Sequence, residues 1–350
     1  MNLLRILLLP FSLVYGAIIF VRNKFYDWGF FTSNTFSFPI ISVGNLEVGG
    51  SGKTPMVAYL IQLLQKEYKI ATLSRGYGRK TKGFRWVKPD DTPLETGDEA
   101  LQLKRKFQNI SVAVCENRVF GVQEIMPKHQ LILLDDAYQH RALKPGFSIL
   151  LFDYHQLKRP RFLLPAGNYR ESFGGRKRAD LIIVTKSSKH ISSAERQKII
   201  ADLNLFAHQK IFFSQIVYDE NLAHIFTKDK FKVAKITPKT TVFLLTGIAK
   251  PAPLISELKK HSQQIIHHAY ADHHQFSPKN MLKLVSEFKN LAVADKIIIT
   301  TEKDAVRLQE AKIYHLINDL PIYQWPIAVD FNNQDKIEFN QLIENYAHTI

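Results

Sequence analysis

The chain has 350 residues, room for about two domains of ordinary size. Its 45% hydrophobic and 23% charged content describes a folded protein with a sizeable core and excludes a disordered chain. A single cysteine, Cys115, excludes an internal disulfide framework and a cysteine-rich zinc site, and reads as a packed thiol in a reducing compartment. The net charge of +15 calls for an anionic partner: nucleic acid, an anionic membrane face or a phosphorylated substrate. Basic residues are spread along the chain, with local groups at Lys158, Arg159 and Arg161 and at Arg176–Arg178. No arginine-rich tail, zinc-finger spacing or aromatic RNA-binding motif accompanies them, so no nucleic-acid partner is expected.

At the amino terminus Leu3–Val21 is almost entirely apolar, interrupted by Arg5, Pro10, Ser12 and Tyr15. Arg22 and Lys24 follow, then Phe25, Tyr26, Trp28, Phe30 and Phe31. About 20 apolar residues are needed to span a bilayer, which makes this stretch marginal. No small-residue cleavage site follows it, as a secretory signal would require. The pattern predicts a helix over 1–22 lying in one leaflet, with cations at the headgroups and aromatics at the interface. A buried helix of the soluble body is the structural alternative.

Phe38–Asn45 reads as a buried strand, and Leu46-Glu47-Val48-Gly49-Gly50-Ser51-Gly52-Lys53-Thr54 follows it into a helical pattern from Pro55 to Leu64. Strand, glycine loop, Lys-Thr and helix form a phosphate cradle, predicted over Glu47, Val48, Gly49, Gly50, Ser51, Gly52, Lys53 and Thr54. Backbone N–H groups converge on phosphate oxygens, Lys53 reaches the terminal phosphates, and Thr54 ligates Mg²⁺. Glu47 stands where the general pattern has glycine.

Gln130–Asp136 is an apolar strand ending in two carboxylates, Asp135 and Asp136, which in a P-loop protein lies beside the first strand and serves the metal. Ser148–Asp153 and Ala179–Lys186 repeat the short apolar pattern. Strands alternating with helical stretches predict an α/β fold: a P-loop NTPase-like parallel sheet with helices on both faces. Thr185-Lys186-Ser187-Ser188 lacks the carboxylate that reads guanine, which favours ATP. A β-rich connection over 204–220 links the P-loop lobe, 23–203, to a smaller second α/β lobe, 221–350, with strands at Thr241–Thr246 and Lys296–Thr300.

These residues resemble one family. Gly44-Asn45-Leu46 with Gly49–Pro55 resembles the loop of the tetraacyldisaccharide 4′-kinases, the lipid A 4′-kinases. Matching motifs follow in order: Ser74-Arg75-Gly76-Tyr77-Gly78; Gly97-Asp98-Glu99; Asp135–Arg141; Leu163–Gly167 with Arg170-Glu171; Thr246–Pro251; Asp272-His273-His274; and Thr300–Asp304. The resemblance runs through nearly the whole chain. It departs at Glu47, where a small hydroxyl residue is usual, at Ala100, and at Asn168-Tyr169 in place of Pro-Leu.

The resemblance implies an ATP- and Mg²⁺-dependent kinase phosphorylating the 4′-hydroxyl of a tetraacylated glucosamine disaccharide 1-phosphate. It implies action at the cytoplasmic face of the bacterial inner membrane, and no protein partner. Asp98 is then the expected base, assisted by His273 from the other lobe, with His274 the lesser candidate. Glu99, Asp135 and Asp136 join Thr54 at the metal. Arg170 is expected on a substrate phosphate, with a surface ion pair to Glu171 as its structural alternative, and Gln139 and His140 orient the acidic pair or touch substrate. The functional alternative is a membrane-associated P-loop ATPase or GTPase switch whose nucleophile is water.

Overall fold

The computed structural model describes residues 3–227 and 229–349. Eight strands form in chain order from the first part of the sequence. They are β1 (Ile40–Asn45), β2 (Ile70–Ser74), β3 (Arg85–Trp86), β4 (Ser111–Val114), β5 (Leu131–Asp135), β6 (Phe147–Asp153), β7 (Leu181–Thr185) and β8 (Lys210–Tyr218). The runs Ile-Ile-Ser-Val in β1 and Leu-Ile-Leu-Leu in β5 are apolar on both faces, as strands covered by helices on either side must be. Accordingly β1 is central, parallel to β5 on one side and to β6 on the other, with Val43 opposite both Asp135 and Ile149. This register brings the glycine loop after β1 and the acids after β5 to the same edge, where α/β sheets bind ligands.

A second sheet is built from β9 (Asn221–His224), β10 (Lys230–Lys232), β11 (Thr241–Thr246), β12 (Gln264–Ala269), β13 (Lys296–Thr301) and β14 (Ile322–Trp325), in the order β10-β9-β14-β13-β11-β12. Phe243, Leu245, Ile298 and Ile322 bury one face of it, and Val242, Leu244 and Ile299 bury the other.

Two segments sit elsewhere than the sequence boundaries suggest. β8, expected within a connection over 204–220, pairs in parallel with β7 inside the first sheet. The last strand, β15 (Ile327–Phe331), and the helix Asn333–His348, expected in the second lobe, return to the first sheet. There β15 runs antiparallel to β8, and Phe331, Phe339 and Ile343 enter the core beneath the P-loop helix. Alternating apolar residues specify a strand but not which sheet receives it. The first sheet thus has nine strands, ordered β15-β8-β7-β6-β1-β5-β2-β4-β3.

The amino-terminal helix Leu9–Asp27 lies against the first sheet's unit on one side only. Phe11, Leu13, Val14 and Ile18 on it are more than half exposed. No helix among the described residues is long and apolar enough to cross a membrane.

Candidate active site

The loop after β1 turns into the helix Lys53–Leu64 through Gly52, whose φ of 90° is a left-handed conformation that a Cβ disfavours. The loop is pinned at several points. Asn45 Nδ2 donates to Ser51 Oγ at 2.8 Å, and Thr185 Oγ1 donates to the Ser51 carbonyl at 2.7 Å. Lys186 donates to the Gly50 carbonyl and, at 3.0 Å, to Asp153, which also takes Lys250 from the second lobe at 3.2 Å. Lys53 reaches back over the loop to Asn45 Oδ1 at 3.3 Å and lies 3.7 Å from Asp136.

Glu47 and Val48 are tied through their backbone to the segment Asn168-Tyr169. Glu47 and Tyr169 pair as an isolated antiparallel bridge, and Val48 N–H donates to the Asn168 carbonyl at 2.8 Å. Two of the departures noted in the sequence therefore touch one another. The Glu47 carboxyl is buried, and burial pushes it above the usual range, so it is held as a packing group beside Tyr169.

The two acids ending β5 have opposite surroundings. Asp135 is 2% exposed, its Oδ1 has no partner among the described residues, and burial with the nearby charge of Glu99 pushes it up to about 8. Asp136 is also pushed up by burial, but the charges of Lys53 and Arg170 outweigh this and hold it below its ordinary value. Arg170 grips it bidentately, at 2.8 and 3.1 Å, and donates to the Asn45 carbonyl at 2.9 Å. Arg170 is thus committed to the P-loop side of the site. Its expected structural alternative, Glu171, instead pairs with Arg178 at 2.8 Å. Gln139 is likewise occupied, donating to the Asn45 carbonyl at 2.9 Å and to Glu171 at 3.0 Å. Burial and the charges of Arg118, Arg22 and Arg75 lower His140 to about 4, so the ring is neutral.

Asp98 opens the helix Asp98–Lys106 after Gly97, whose φ of 87° and ψ of 151° fall in glycine's own territory. His273, 175 positions away, meets Asp98 Oδ2 through Nδ1 at 2.9 Å. His274 points elsewhere, stacking on Tyr270 with centroids 4.6 Å apart. Arg307, 1% exposed, brings Nε to 3.1 Å from the same Asp98 oxygen and contacts Asp304 at 3.1 Å. Burial raises Asp98, but the His273 hydrogen bond and the Arg307 and Lys303 charges more than reverse it, leaving a carboxylate. Lys303 lies 2.9 Å from His273 Nε2 and 3.7 Å from Glu99. Arg307 escaped the sequence reading; its signal is a cation set among Ala305, Val306 and Leu308 at the end of the helix Glu302–Leu308.

The family model described as Tetraacyldisaccharide-1-P 4′-kinase matches residues 4–347. The chain is 43% identical over 359 residues to the tetraacyldisaccharide 4′-kinase of Bacteroides thetaiotaomicron, covering 97% of this chain and 92% of that one. It is 43% identical over 354 residues to the namesake of Flavobacterium psychrophilum, covering 100% and 98%. Among solved structures, the apo-form LpxK of Aquifex aeolicus in complex with ATP matches with a TM-score of 0.75 at 28% identity, over 99% of this chain and 100% of that one.

Proposed function

The chain belongs to the tetraacyldisaccharide-1-P 4′-kinase family, ATP-dependent kinases of a lipid A precursor, and from that premise we propose how its residues carry out the transfer. The Asp98 carboxylate accepts the proton of the acceptor's 4′-hydroxyl as that oxygen bonds to the γ-phosphorus. The bond from that phosphorus to the β–γ bridging oxygen breaks, and ADP leaves. Asp98 Oδ2 is engaged by His273 and Arg307, which leaves Oδ1 to take the proton. Lys53 and the loop N–H groups hold the donor phosphates and balance their charge.

The residues present suit Mg²⁺. A buried carboxyl raised to about 8, with an unpartnered oxygen and Thr54 beside it, is a site whose excess negative charge a divalent cation would relieve. Thr54 and Asp135 would hold the ion, with Glu99 close by; bound there, it would neutralise charge on the phosphate oxygens. No group of three or more His, Cys, Asp or Glu among the described residues could hold a metal alone. That agrees with Mg²⁺ taking its remaining ligands from phosphate and water. Asp136, expected at the metal, has both oxygens on Arg170 and is better read as the anchor of that arginine.

The acceptor carries acyl chains, and the exposed apolar face of the helix Leu9–Asp27 supports docking in one leaflet. Arg22 and Lys24 would lie at headgroup depth, on the cytoplasmic face where ATP is available. The observation that carries the catalytic reading is the carboxylate of Asp98, held from the second lobe and next in sequence to Glu99, whose charge acts on Asp135. Labelled ATP with a disaccharide 1-phosphate lipid should yield a 4′-phosphorylated product by mass and position. Asp98→Asn should lower kcat at least about 100-fold with ATP affinity kept, while Lys53→Ala should weaken both. Equal loss of ATP binding in the two variants would remove Asp98 from the base role.

A further inference from the structure

His273 is held at both ring nitrogens. Nδ1 lies 2.9 Å from Asp98 Oδ2, and Nε2 lies 2.9 Å from Lys303 Nζ. A lysine ammonium offers three donors and no acceptor, whereas a neutral imidazole offers one of each. Lys303 is 3.6 Å from Asp272 and 3.7 Å from Glu99, so its ammonium sits between two carboxylates. With the ammonium donating, Nε2 has to accept, and the single ring proton has to sit on Nδ1, aimed at Asp98. The opposite tautomer would set an N–H against an ammonium on one side and a lone pair against a carboxylate on the other.

We propose that Lys303 fixes His273 in its Nδ1–H tautomer and is thereby a positioning residue for Asp98. The inference rests on Asp98 being the base, and it gives a role to the Thr-Glu-Lys-Asp segment after β13. Asp272 Oδ2 lies 3.9 Å from Nε2, beyond hydrogen-bond reach and farther than the Lys303 ammonium, and the remaining contacts fix the ring without choosing its proton. The His273 backbone, at a φ of 58°, donates to the Gly247 carbonyl and to Asp272, both at 3.1 Å. Tyr77, from the first lobe's Ser-Arg-Gly-Tyr-Gly segment, lies against the imidazole with centroids 5.3 Å apart. These hold the plane, and Lys303 selects which nitrogen donates. With Nε2 capped by an ammonium, His273 cannot pass a proton onward through that nitrogen. It acts as a fixed donor that keeps one Asp98 oxygen occupied, together with Arg307, and leaves the other for the acceptor.

The test is nitrogen NMR on the full chain labelled with ¹⁵N-histidine, the His273 signals being identified by their loss in His273→Asn. Wild type should show one protonated nitrogen at Nδ1 and one bare nitrogen at Nε2. Lys303→Met should gain Nε2–H population and lose about tenfold in kcat, with KM for ATP within about twofold. Lys303→Arg, which keeps a donor at that position, should recover most of both. Three results would overturn the proposal: an Nε2–H or doubly protonated ring in wild type; a Lys303→Met change confined to KM for ATP; or Lys303→Arg no better than Lys303→Met. If Lys303→Met does not fold, the wild-type and Lys303→Arg spectra still decide. The tautomer is read without turnover, so undiminished kcat in Asp98→Asn would remove the base assignment while leaving the ring's protonation an independent result.

Discussion

Asp135→Asn sets catalysis against stability. The carboxyl is 2% exposed, and burial and the charge of Glu99 push it up to about 8, against 3.8 when free. Between those values the folded state keeps a proton that the unfolded state releases. The advantage this confers is complete below about pH 4 and is lost as pH rises through about 8. About four units at 1.36 kcal/mol each set a ceiling near 6 kcal/mol, and side chains relaxing around the new charge cut this to about 3 kcal/mol. Asparagine keeps the shape and an oxygen for Thr54 without the charge. At pH 8.5, with neither nucleotide nor divalent cation, Asp135→Asn should therefore melt about 3–6 °C above wild type. At pH 5, where about a third of the advantage is already lost, the gap should narrow to about 1–2 °C. The same variant should lose at least about 100-fold in turnover, along with the Mg²⁺-dependent part of the stabilisation by ATP. Scanning fluorimetry across pH reads the first effect and labelled-ATP turnover the second. A variant melting below wild type at both pH values would show that the buried carboxylate is a net stabiliser, and the reasoning would fail.

His140, lowered to about 4 by burial and the neighbouring arginines, contributes stability that is full above its free value of 6.5 and lost as pH falls to about 4. His140→Asn should remove about 1–2 kcal/mol of that acid sensitivity, a figure discounted for the ring's partial exposure; identical pH slopes in denaturant titrations would contradict this. Gly97→Ala forces a Cβ to 2.8 Å from the Tyr77 carbonyl at a φ of 87°. It should cost about 1–3 kcal/mol and displace Asp98, so kcat should fall more than ATP affinity; unchanged kcat would show that the turn does not set the base's position. Deleting residues before Asn23 should reduce recovery with anionic lipid vesicles in flotation, and equal recovery would show that another surface binds.

The phosphate loop and the strand beside it were legible because their determinants are contiguous: glycines at the turn, Lys53-Thr54 at the helix start, and apolar runs long enough for buried strands. Asp98 and His273 were not legible from spacing, since 175 positions separate them and only the family resemblance paired them. Arg307 and the Arg170–Asp136 fork illustrate the same limit. Which carboxylate a cation meets is decided by packing, and a sequence presents Arg170 equally as a phosphate ligand or as the partner of adjacent Glu171. The return of β15 to the first sheet was hidden because a strand's alternation records that it has a buried face, not which sheet supplies the cover.

Arg170 connects the two ends of the site. Tyr15 on the amino-terminal helix donates to the Arg170 carbonyl at 2.8 Å, and the Arg170 side chain grips Asp136, which lies 3.7 Å from Lys53. Alongside, Arg22 donates to the Gln139 carbonyl at 3.0 Å, and Ser12 accepts from Ala166 N–H at 2.9 Å. The helix with the exposed apolar face is therefore bonded to the residues that position the phosphate lysine. An acylated acceptor lying along that helix would be presented in a frame already registered to the donor. Asp98, the proposed base, is by contrast held by His273 and Arg307, with Lys303 behind the imidazole, all from the second lobe. Under the proposed function, donor and acceptor would share the first lobe's frame, and the charges holding Asp98 would come from the second. A relative shift of the lobes would accordingly alter the placement of Asp98 more than the grip on phosphate, which is why kcat and KM for ATP should separate in variants of the seam.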